Sequence, residues 1–262
     1  KKEVNMQEEI KEYHSLEEIR SEIDKIDKEL ITLLAKRSKY VESISKFKKD
    51  EESVKAPSRV KNMIIQRKKW AYENNLDMIF IENLYKTITS YFIEKEMNKW
   101  LKENKFRIED LKIVPAKKEN LSDILNLQIL CYQSEAINCN DFDIPPLNYK
   151  IQDIENEFND KIFFIASFND KLIGSIRGYQ KDETLFIEKI IVHPDFQNLG
   201  IGKLLIKTIE DYFKDCKICE LFTGSRSEKN LKLYNKLGYQ IYKEEKINDY
   251  YGIVFLKKTK SV

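Results

Sequence analysis

Glycine is missing from the first 173 residues of this 262-residue chain, and all seven glycines lie between positions 174 and 252. Residues 1–105 also contain a single proline, Pro57. A long segment with neither residue lacks the breaks that interrupt helices. We therefore predict an all-helical first part and place the turns of a sheet-containing domain in the second part.

Further absences limit the class of protein. No run of about 18 apolar residues exists, and the first residues lack the apolar region of a secretion signal, so neither a membrane span nor export is expected. Residues 1–105 hold 23 basic and 20 acidic side chains and the remainder 23 and 24, giving a net charge of +2 without a footprint for nucleic acid. The four cysteines indicate free structural thiols in a reducing cytoplasm, and no metal site is expected.

Three helices are predicted within residues 1–105. The first begins at the capping box Ser15–Glu18 and repeats apolar residues to about Lys49. The second covers roughly Ser58 to Glu73, and the third begins near Asp77 as its N-cap. A first helix of about 33 residues is about 50 Å long. Two shorter helices cannot cover it, so we expect an intertwined homodimer formed by the N-terminal helices.

Arg37 and Lys48 lie eleven residues apart in the first predicted helix. At about 100° per residue, eleven steps return to within about 20° of the starting direction, so both cations share one face. Their axial separation is about 16 Å. Two long cationic side chains at that spacing can hold a small dianion between them.

From about Phe106 short apolar runs alternate with helical segments, which predicts an α/β domain, residues 106–262, around one mixed, twisted sheet with flanking helices. The runs expected to form strands are Leu111–Pro115, Ile162–Phe168, Leu172–Tyr179, Leu185–Val192, Ile218–Phe222, Tyr239–Tyr242 and Tyr251–Leu256. Between the fourth and fifth of them, the segment from Gln197 to Lys203 joins a predicted strand to a predicted helix. Glycines at a helix N-terminus let backbone N–H groups approach an anion, and the helix dipole favours negative charge there.

This segment, Gln197-Asn-Leu-Gly200-Ile-Gly202, resembles motif A of the GNAT superfamily of acyl-CoA-dependent N-acyltransferases, Gln/Arg-x-x-Gly-x-Gly/Ala. Downstream, Asn230 with Tyr234 and the following Gly-Tyr pair is similar to the second signature of that family. The resemblance covers about residues 110–258. It implies a GNAT fold, acetyl-CoA as acyl donor and an amine of unknown identity as acceptor.

The same resemblance implies the residues that contact CoA and the groups that move protons. Tyr234 is implied as the general acid for the departing thiolate. Counting by two along the strand places Glu188 on the face of Ile190 and Val192, where it is expected to act as general base through water. The alternative is a rim carboxylate without a role. The implied CoA-binding residues are Ile190, Val192, Gln197, Asn198, Leu199, Gly200, Ile201, Gly202, Lys203, Asn230 and Tyr234.

The helical part, about residues 14–103, resembles the all-helical chorismate mutase family and, within it, the isochorismate-pyruvate lyases that form salicylate. The matching segments are Ile19-Arg20 through Asp27, Arg37, Lys48, Ala56-Pro-Ser-Arg59-Val60, Trp70 through Asp77, and Ile93 through Trp100. The resemblance implies that Arg20, Arg37, Lys48, Arg59 and Glu96 bind the substrate, with Arg37 and Lys48 on its carboxylates and ether bridge. Seventeen residues, or about 100° of rotation, separate Arg20 from Arg37. Arg20 is therefore expected to complete the site of the partner protomer.

Two positions depart from the mutase pattern. Typical mutases carry a carboxylate after the arginine that matches Arg59, whereas Val60 stands here, which favours isochorismate because its ring hydroxyl is placed elsewhere. The family often has glutamine on the third helix where this chain has Glu96. A carboxylate donates a hydrogen bond only when protonated. Neighbouring cations are expected to keep Glu96 ionised, and an ionised Glu96 would repel the substrate.

The sequence therefore predicts a bifunctional enzyme. Its first domain is expected to cleave isochorismate to salicylate and pyruvate, a pericyclic reaction that needs orientation and charge stabilisation but no nucleophile. The charged segment from Lys49 to Ala56 is expected to act as a lid. The alternatives are a chorismate mutase that makes prephenate, a non-catalytic dimerisation or ligand-sensing module beside an active acyltransferase, and a GNAT domain that binds CoA only as a regulator.

Overall fold

A computed structural model describes residues 13–44, 47–248 and 250–260. The chain forms two compact units, residues 1–100 and residues 101–262. The division into domains at residues 105 and 106 stays a prediction. In the described residues, no helix is both long enough and apolar enough to cross a membrane.

Four helices form the first unit and extend just past it: α1 (Leu16–Ile44), α2 (Glu51–Lys55), α3 (Pro57–Glu73) and α4 (Met78–Asn104). The predicted caps are present, because Ser15 Oγ accepts a hydrogen bond from the Glu18 backbone N–H at 3.1 Å and Asp77 Oδ1 accepts one from Phe80 at 2.6 Å. The described part of α1 reaches Ile44, and Lys48 and Lys49 lie outside any helix, so the expected extension of the first helix to about Lys49 is wrong.

The segment expected to be a lid contains the short helix α2. Asp50 caps it by accepting a 2.7 Å hydrogen bond from the Ser53 backbone N–H, and Ser53 Oγ accepts the reciprocal bond from the Asp50 backbone. Val54 is 2% exposed. Lys48 therefore precedes a capped turn and does not continue α1, so the helix-face argument does not describe how Lys48 approaches Arg37.

The α1 helix keeps a long apolar face open to solvent in the single chain. Not one of its residues is buried. Near its C-terminal end, Glu42 pairs with Lys95 of α4 at 2.7 Å. Eight apolar side chains between Leu16 and Leu34 are 39% to 67% exposed. An exposed apolar face of this kind is typical of a protein–protein interaction site.

The second unit is a seven-stranded sheet in the order β1-β2-β3-β4-β5-β7-β6, with helices on both faces. Neighbouring strands are antiparallel except β4 and β5, which are parallel. The strands are β1 (Lys112–Pro115), β2 (Ile162–Phe168), β3 (Lys171–Lys181), β4 (Thr184–Val192), β5 (Ile218–Gly224), β6 (Gln240–Lys246) and β7 (Gly252–Thr259). The helices are α5 (Leu121–Cys139), α6 (Pro145–Asn148), α7 (Ile151–Asp160), α8 (Ile201–Tyr212) and α9 (Glu228–Lys236).

The sheet packs against α8 on one face and against α5 and α7 on the other. On the α8 face, a Cβ on Gly178 would lie 2.9 Å from Ile209 Cδ1 and 2.6 Å from the carbonyl oxygen of Phe186, so only glycine allows this approach. On the opposite face, a buried apolar cluster joins α5 and α7 to β2. Its fully buried members are Leu121, Ile124, Ile154, Phe163 and Ile165.

Candidate active sites

The first unit contains a cavity of about 790 Å³ between α1, α2, α3 and α4. Its wall combines apolar side chains with five cations and one carboxylate. The charged residues that line it are Arg37, Lys48, Lys55, Arg59, Arg67 and Glu96. The apolar lining includes Val41, Ile44, Val54, Val60, Met63, Phe92 and Ile93. Four of the five residues predicted to bind substrate therefore meet in one cavity.

Arg37 presents an unsatisfied guanidinium to this cavity. Its Cζ lies 4.4 Å from the centre of the Phe92 ring. Its buried Nη1 has no hydrogen-bond partner among the described residues. Burial lowers the pKa of Arg37, and the positive charge of Arg67 lowers it further. A half-buried guanidinium with one buried and unsatisfied nitrogen is suited to an anionic ligand.

Lys48 and Glu96 face each other across the cavity. Lys48 Nζ donates a hydrogen bond to the backbone oxygen of Ser53 and lies 3.8 Å from Glu96 Oε1. That Oε1 atom is buried and makes no hydrogen bond within the described chain. The 3.8 Å separation is thus a loose ion pair, and both groups can be hydrogen-bonded to one oxygen that lies beside them rather than between them.

The pKa of Glu96 is shifted in the direction opposite to our expectation. Burial raises it, and this effect outweighs the lowering by Lys48 and Arg59. From the sequence alone only the charges near Glu96 can be counted, whereas the desolvation of its carboxylate depends on the folded structure. A protonated Glu96 donates a hydrogen bond as glutamine does, so the raised pKa widens the pH range in which this site accepts a substrate oxygen.

Arg20 is the predicted binding residue that does not reach the cavity. It is exposed on α1, and the 17 residues to Arg37 correspond to about 25 Å along a helix. Conversely, sequence reasoning missed Arg67, which lines the cavity and stacks 4.5 Å from the Trp70 ring and 5.5 Å from the Tyr85 ring. Arg59, Met63 and Arg67 follow at intervals of four on α3, and this helical row is the signal that could have identified Arg67.

In the second unit, the parallel strands β4 and β5 separate partway along their length. We call the space between their separated ends the cleft. The pairing of β4 with β5 runs from Thr184–Ile218 to Ile187–Leu221 and then stops, although β4 continues to Val192 and β5 to Gly224. Gln197 Nε2 donates a 3.1 Å hydrogen bond to the backbone oxygen of Val192, which holds the following loop at the mouth of the cleft.

That loop leads into α8 with open backbone. Asn198 and Gly200 have φ values of 65° and 85°, and α8 has no side-chain cap. A Cβ on Gly200 would have no atom within 4 Å, so a ligand can approach the backbone closely. The first N–H groups of α8, beginning at Ile201, point to this space by helix geometry. These features fit a pyrophosphate, which the segment from Gln197 to Lys203 would hold.

A bulge in β4 changes the faces of its residues. Arg177 of β3 pairs with Glu188 and Ser175 pairs with Ile191, so β4 has two residues, Lys189 and Ile190, opposite one. Lys189 has a φ of 45°. Because directly paired residues share a face, Glu188 lies on the side of α5 and α7 and Val192 on the side of α8. The expectation that Glu188 shares a face with Val192 is therefore wrong.

Glu188 belongs to a network of charges on the α5 and α7 side. Its carboxylate lies 2.5 Å from Lys161. Glu157 at the centre is 2.8 Å from Arg177 and 3.0 Å from Lys189. Burial alone would raise the pKa of Glu157, but these cations lower it. Burial followed by repulsion from Arg177 lowers the pKa of Lys189 to about 8. The network anchors the bulge to α7; the role of Glu188 as a base stays a prediction.

Tyr234 and Asn230 lie on one face of α9. Asn230 Nδ2 donates to Thr223 Oγ1 of β5 at 3.3 Å. Tyr234 is 4% exposed and its ring packs edge-on against Tyr239. Burial raises the pKa of Tyr234, with a further contribution from the charge of Glu135. The hydroxyl therefore stays protonated at neutral pH, as a proton donor requires.

Comparison with known families agrees with both halves of this description. The chorismate mutase type II family profile matches residues 19–97, and the acetyltransferase (GNAT) family profile matches residues 121–239. The isochorismate pyruvate lyase of Pseudomonas aeruginosa is 39% identical over 85 residues, which are 32% of this chain and 84% of that enzyme.

Two further relatives match the second unit. An uncharacterized N-acetyltransferase of Methanocaldococcus jannaschii is 32% identical over 87 residues, 30% of this chain and 38% of that protein. A GNAT family acetyltransferase of Elizabethkingia anophelis, solved with acetyl-CoA bound, has 22% identity and a TM-score of 0.45 over 58% of this chain and 99% of that chain. The chain is thus a fusion that belongs to the chorismate mutase type II family through its N-terminal helices and to the GNAT acetyltransferase family through the sheet-containing unit.

Proposed function

We propose that the first domain is an isochorismate-pyruvate lyase that releases salicylate and pyruvate. The observation that carries the proposal is the cavity with five cations and one carboxylate of raised pKa. The substrate is a dianion with an ether bridge, and its two carboxylates match the unsatisfied Arg37 and its cationic neighbours. No histidine or cysteine is found among the described residues that line the cavity, which suits a reaction without nucleophile or base.

Each group in the cavity has a role in this reaction. Arg37 and Arg59 hold carboxylates and fix the ring against Val60 and Phe92. Lys48 donates to the ether oxygen, where negative charge develops as the C–O bond breaks. Glu96, when protonated, donates to the same oxygen from a position next to Lys48. The protein supplies orientation and charge stabilisation, while hydrogen transfer and bond cleavage occur within the substrate.

The active unit in this proposal is a homodimer. The exposed apolar face of α1 supports it, because eight large apolar side chains lie open in the single chain. A second copy packed on that face would cover them. It would also bring its own Arg20 to the cavity, supplying the cation that one chain cannot provide.

Conversion of chorismate to prephenate is the second candidate, because the matching profile is that of chorismate mutases. Val60, an apolar residue in the cavity wall, favours isochorismate. The test is to incubate the protein with each substrate between pH 5 and 8, following salicylate fluorescence and the loss of chorismate absorbance. Salicylate with equal pyruvate supports the lyase. Prephenate alone supports the mutase, and turnover of neither substrate supports a non-catalytic module.

We further propose that the second domain transfers an acetyl group from acetyl-CoA to an amine. Acetyl-CoA supplies a thioester carbonyl that an amine can attack. The backbone from Gln197 to Lys203 would hold the pyrophosphate, and the separated strand segment from Ile190 to Val192 would hold the pantetheine arm. Asn230 would add a polar contact. Tyr234 would protonate the departing sulfur, since burial keeps its hydroxyl neutral.

Calorimetric titration with acetyl-CoA tests the donor site directly. We expect saturable binding to a single site per chain, weakened about tenfold or more in Gly202→Trp, because a Cβ there would already lie 3.3 Å from Leu233 Cδ2 and a tryptophan ring would distort the start of α8. Release of free thiol with a panel of amines then tests transfer. Binding without thiol release in the presence of any amine would support a CoA-binding regulator.

A further inference from the structure

Two helix faces and the end of β5 converge beside Tyr234. On α5, Cys131, Tyr132 and Glu135 follow at helical spacing, so they lie on neighbouring positions of one face. Cys131 Sγ donates to the backbone oxygen of Val192 at 3.3 Å, which places this face against the end of β4. The face thus lies next to the segment that would bind pantetheine.

On α9, Ser227, Asn230 and Tyr234 also share one face, at intervals of three and four. Ser227 Oγ donates a 2.5 Å hydrogen bond to Glu135 Oε2. The backbone N–H of Ser227 donates to Gly224 O at 3.0 Å. A Cβ on Gly224 would lie 2.3 Å from the Tyr251 hydroxyl oxygen, so that hydroxyl rests on the backbone of Gly224.

Glu135 is the one carboxylate in this group. It is half-buried. Within the described residues Ser227 is its hydrogen-bond partner, and no lysine or arginine lies within ion-pairing distance of it. Burial raises the pKa of Tyr132, Tyr234 and Tyr251, and the charge of Glu135 adds to the shift in all three. One unpaired carboxylate therefore lies among three tyrosines.

We propose that Glu135 binds the ammonium group of a cationic alkylamine and takes its proton before acetyl transfer. The proposal rests on the acetyltransferase function given above and names the class of its acceptor. A half-buried carboxylate that no lysine or arginine neutralises is available to a cationic ligand, and tyrosine rings attract ammonium groups by cation–π interaction. A neutral arylamine or a hydroxyl acceptor would leave the carboxylate unpaired.

The proton balance uses two groups of this chain. The ammonium gives one proton to Glu135, and the nitrogen electron pair forms the new C–N bond while the C–S bond breaks. Tyr234 gives its proton to the sulfur, which has taken the electron pair. The second proton of the attacking nitrogen restores the Tyr234 hydroxyl. Glu135 returns its proton to water.

The test compares E135Q with S227A and with D123N, an exposed α5 carboxylate change. Putrescine is the cationic probe and aniline the neutral one. In the wild-type protein we expect calorimetric binding of putrescine and a preference for it over aniline. E135Q should raise the KM for putrescine about 10- to 100-fold and remove the preference, because a charge-assisted contact is lost. D123N should stay within about threefold of wild type, S227A should weaken binding less than E135Q because the carboxylate remains, and E135D should retain part of the binding.

The controls separate the possible failures. Equal circular dichroism and equal acetyl-CoA affinity in E135Q show that the variant is folded. Loss of putrescine binding in S227A as large as in E135Q would mean that Glu135 only caps α9, and the assignment is overturned. It is also overturned if wild type does not bind putrescine or if E135Q binds it normally. Binding that depends on Glu135 without any acetyl-CoA binding would leave the cation site standing and refute the transferase.

Discussion

The two candidate sites differ in how much of each a single chain contains. The cleft between β4 and β5 brings its loop, its α9 tyrosine and its charge network together within residues 101–262. The helical cavity collects Arg37, Lys48, Arg59 and Glu96 but leaves Arg20 on a helix whose apolar face is exposed. In our proposal the first of these sites is complete in the single chain, and a second copy completes the other.

The sites also differ in what does the chemistry. Under the proposed lyase reaction, the helical cavity provides fixed charges, and hydrogen transfer occurs only within the substrate. Under the proposed acetyl transfer, groups of the protein itself move protons in the cleft, and burial raises the pKa of Tyr234 and Tyr132 there. The same physical effect, desolvation, raises the pKa of Glu96 in the cavity. Burial therefore raises the pKa of the proposed proton donor in each site, Glu96 in the cavity and Tyr234 in the cleft.

The largest expected effect is on the helical cavity. Lys48→Ala removes the cation at the ether oxygen and should lower kcat/KM for isochorismate by about 10³-fold, as loss of a transition-state hydrogen-bond donor does. Salicylate fluorescence measures it. Lys49→Ala, an exposed neighbour, is the matched control and should keep wild-type activity. A Lys48→Ala variant within tenfold of wild type would refute this role.

In the cleft, Tyr234→Phe should lower acetyl transfer to an amine about 10²-fold, since the sulfur then leaves without a proton donor. Acetyl-CoA affinity should not change. Thiol release and calorimetry provide the two measurements, and Tyr250→Phe, an exposed tyrosine, is the control. Unchanged turnover would show that another group protonates the sulfur.

The pH dependence of lyase activity tests whether Glu96 acts as a hydrogen-bond donor. Its folded pKa lies above the usual 4.5. Only the protonated form donates, so lyase activity should be full below that pKa and fall about tenfold per pH unit above it. Glu96→Gln should flatten this profile between pH 5 and 8 and exceed wild type at the alkaline end. Glu103→Gln, on the same helix, should reproduce the wild-type profile. A sloping Glu96→Gln profile would assign the titration to another group.

The smallest expected effect is on the thermal stability of the Glu96→Gln variant. Because folding raises the pKa of Glu96, its contribution to stability is full at low pH and is lost as pH rises through the folded value. Glu96→Gln should therefore unfold at a slightly higher temperature than wild type at pH 7.5, with no gain at pH 4. Thermal unfolding of both proteins at the two pH values measures the difference. An equal gain at both would point to packing rather than charge.

Much of this arrangement follows from local sequence signals. Asp77 and Pro57 mark the starts of α4 and α3, and the glycines at 200 and 202 mark the loop before α8. These features depend on residues within one helical turn of each other, which is the range over which capping and glycine conformation act. The family resemblance predicts Arg37 and Lys48 in one site, and both line the cavity. The helix-face prediction for the same pair is wrong, because Lys48 lies outside α1.

The remaining features arise from contacts distant in sequence. The bulge at Lys189 has a positive φ without a glycine, and the Lys189 side chain pairs with Glu157 of α7, more than thirty residues away. The raised pKa of Glu96 depends on burial by three helices. Glu135 belongs to no sequence motif, and only the folded structure places it beside Ser227 and Tyr234. Counting along a strand or helix cannot supply such information.

Co-expression of two inactive variants tests most directly whether a second copy completes the helical cavity. Arg20→Ala and Lys48→Ala should each abolish salicylate formation, since each lacks one part of every site. When both chains are co-expressed and exchange freely, half of the dimers are mixed and each mixed dimer has one intact site. We predict recovery of about a quarter of wild-type activity per chain. Activity that stays at the level of the separate variants would contradict a cavity completed by a second copy.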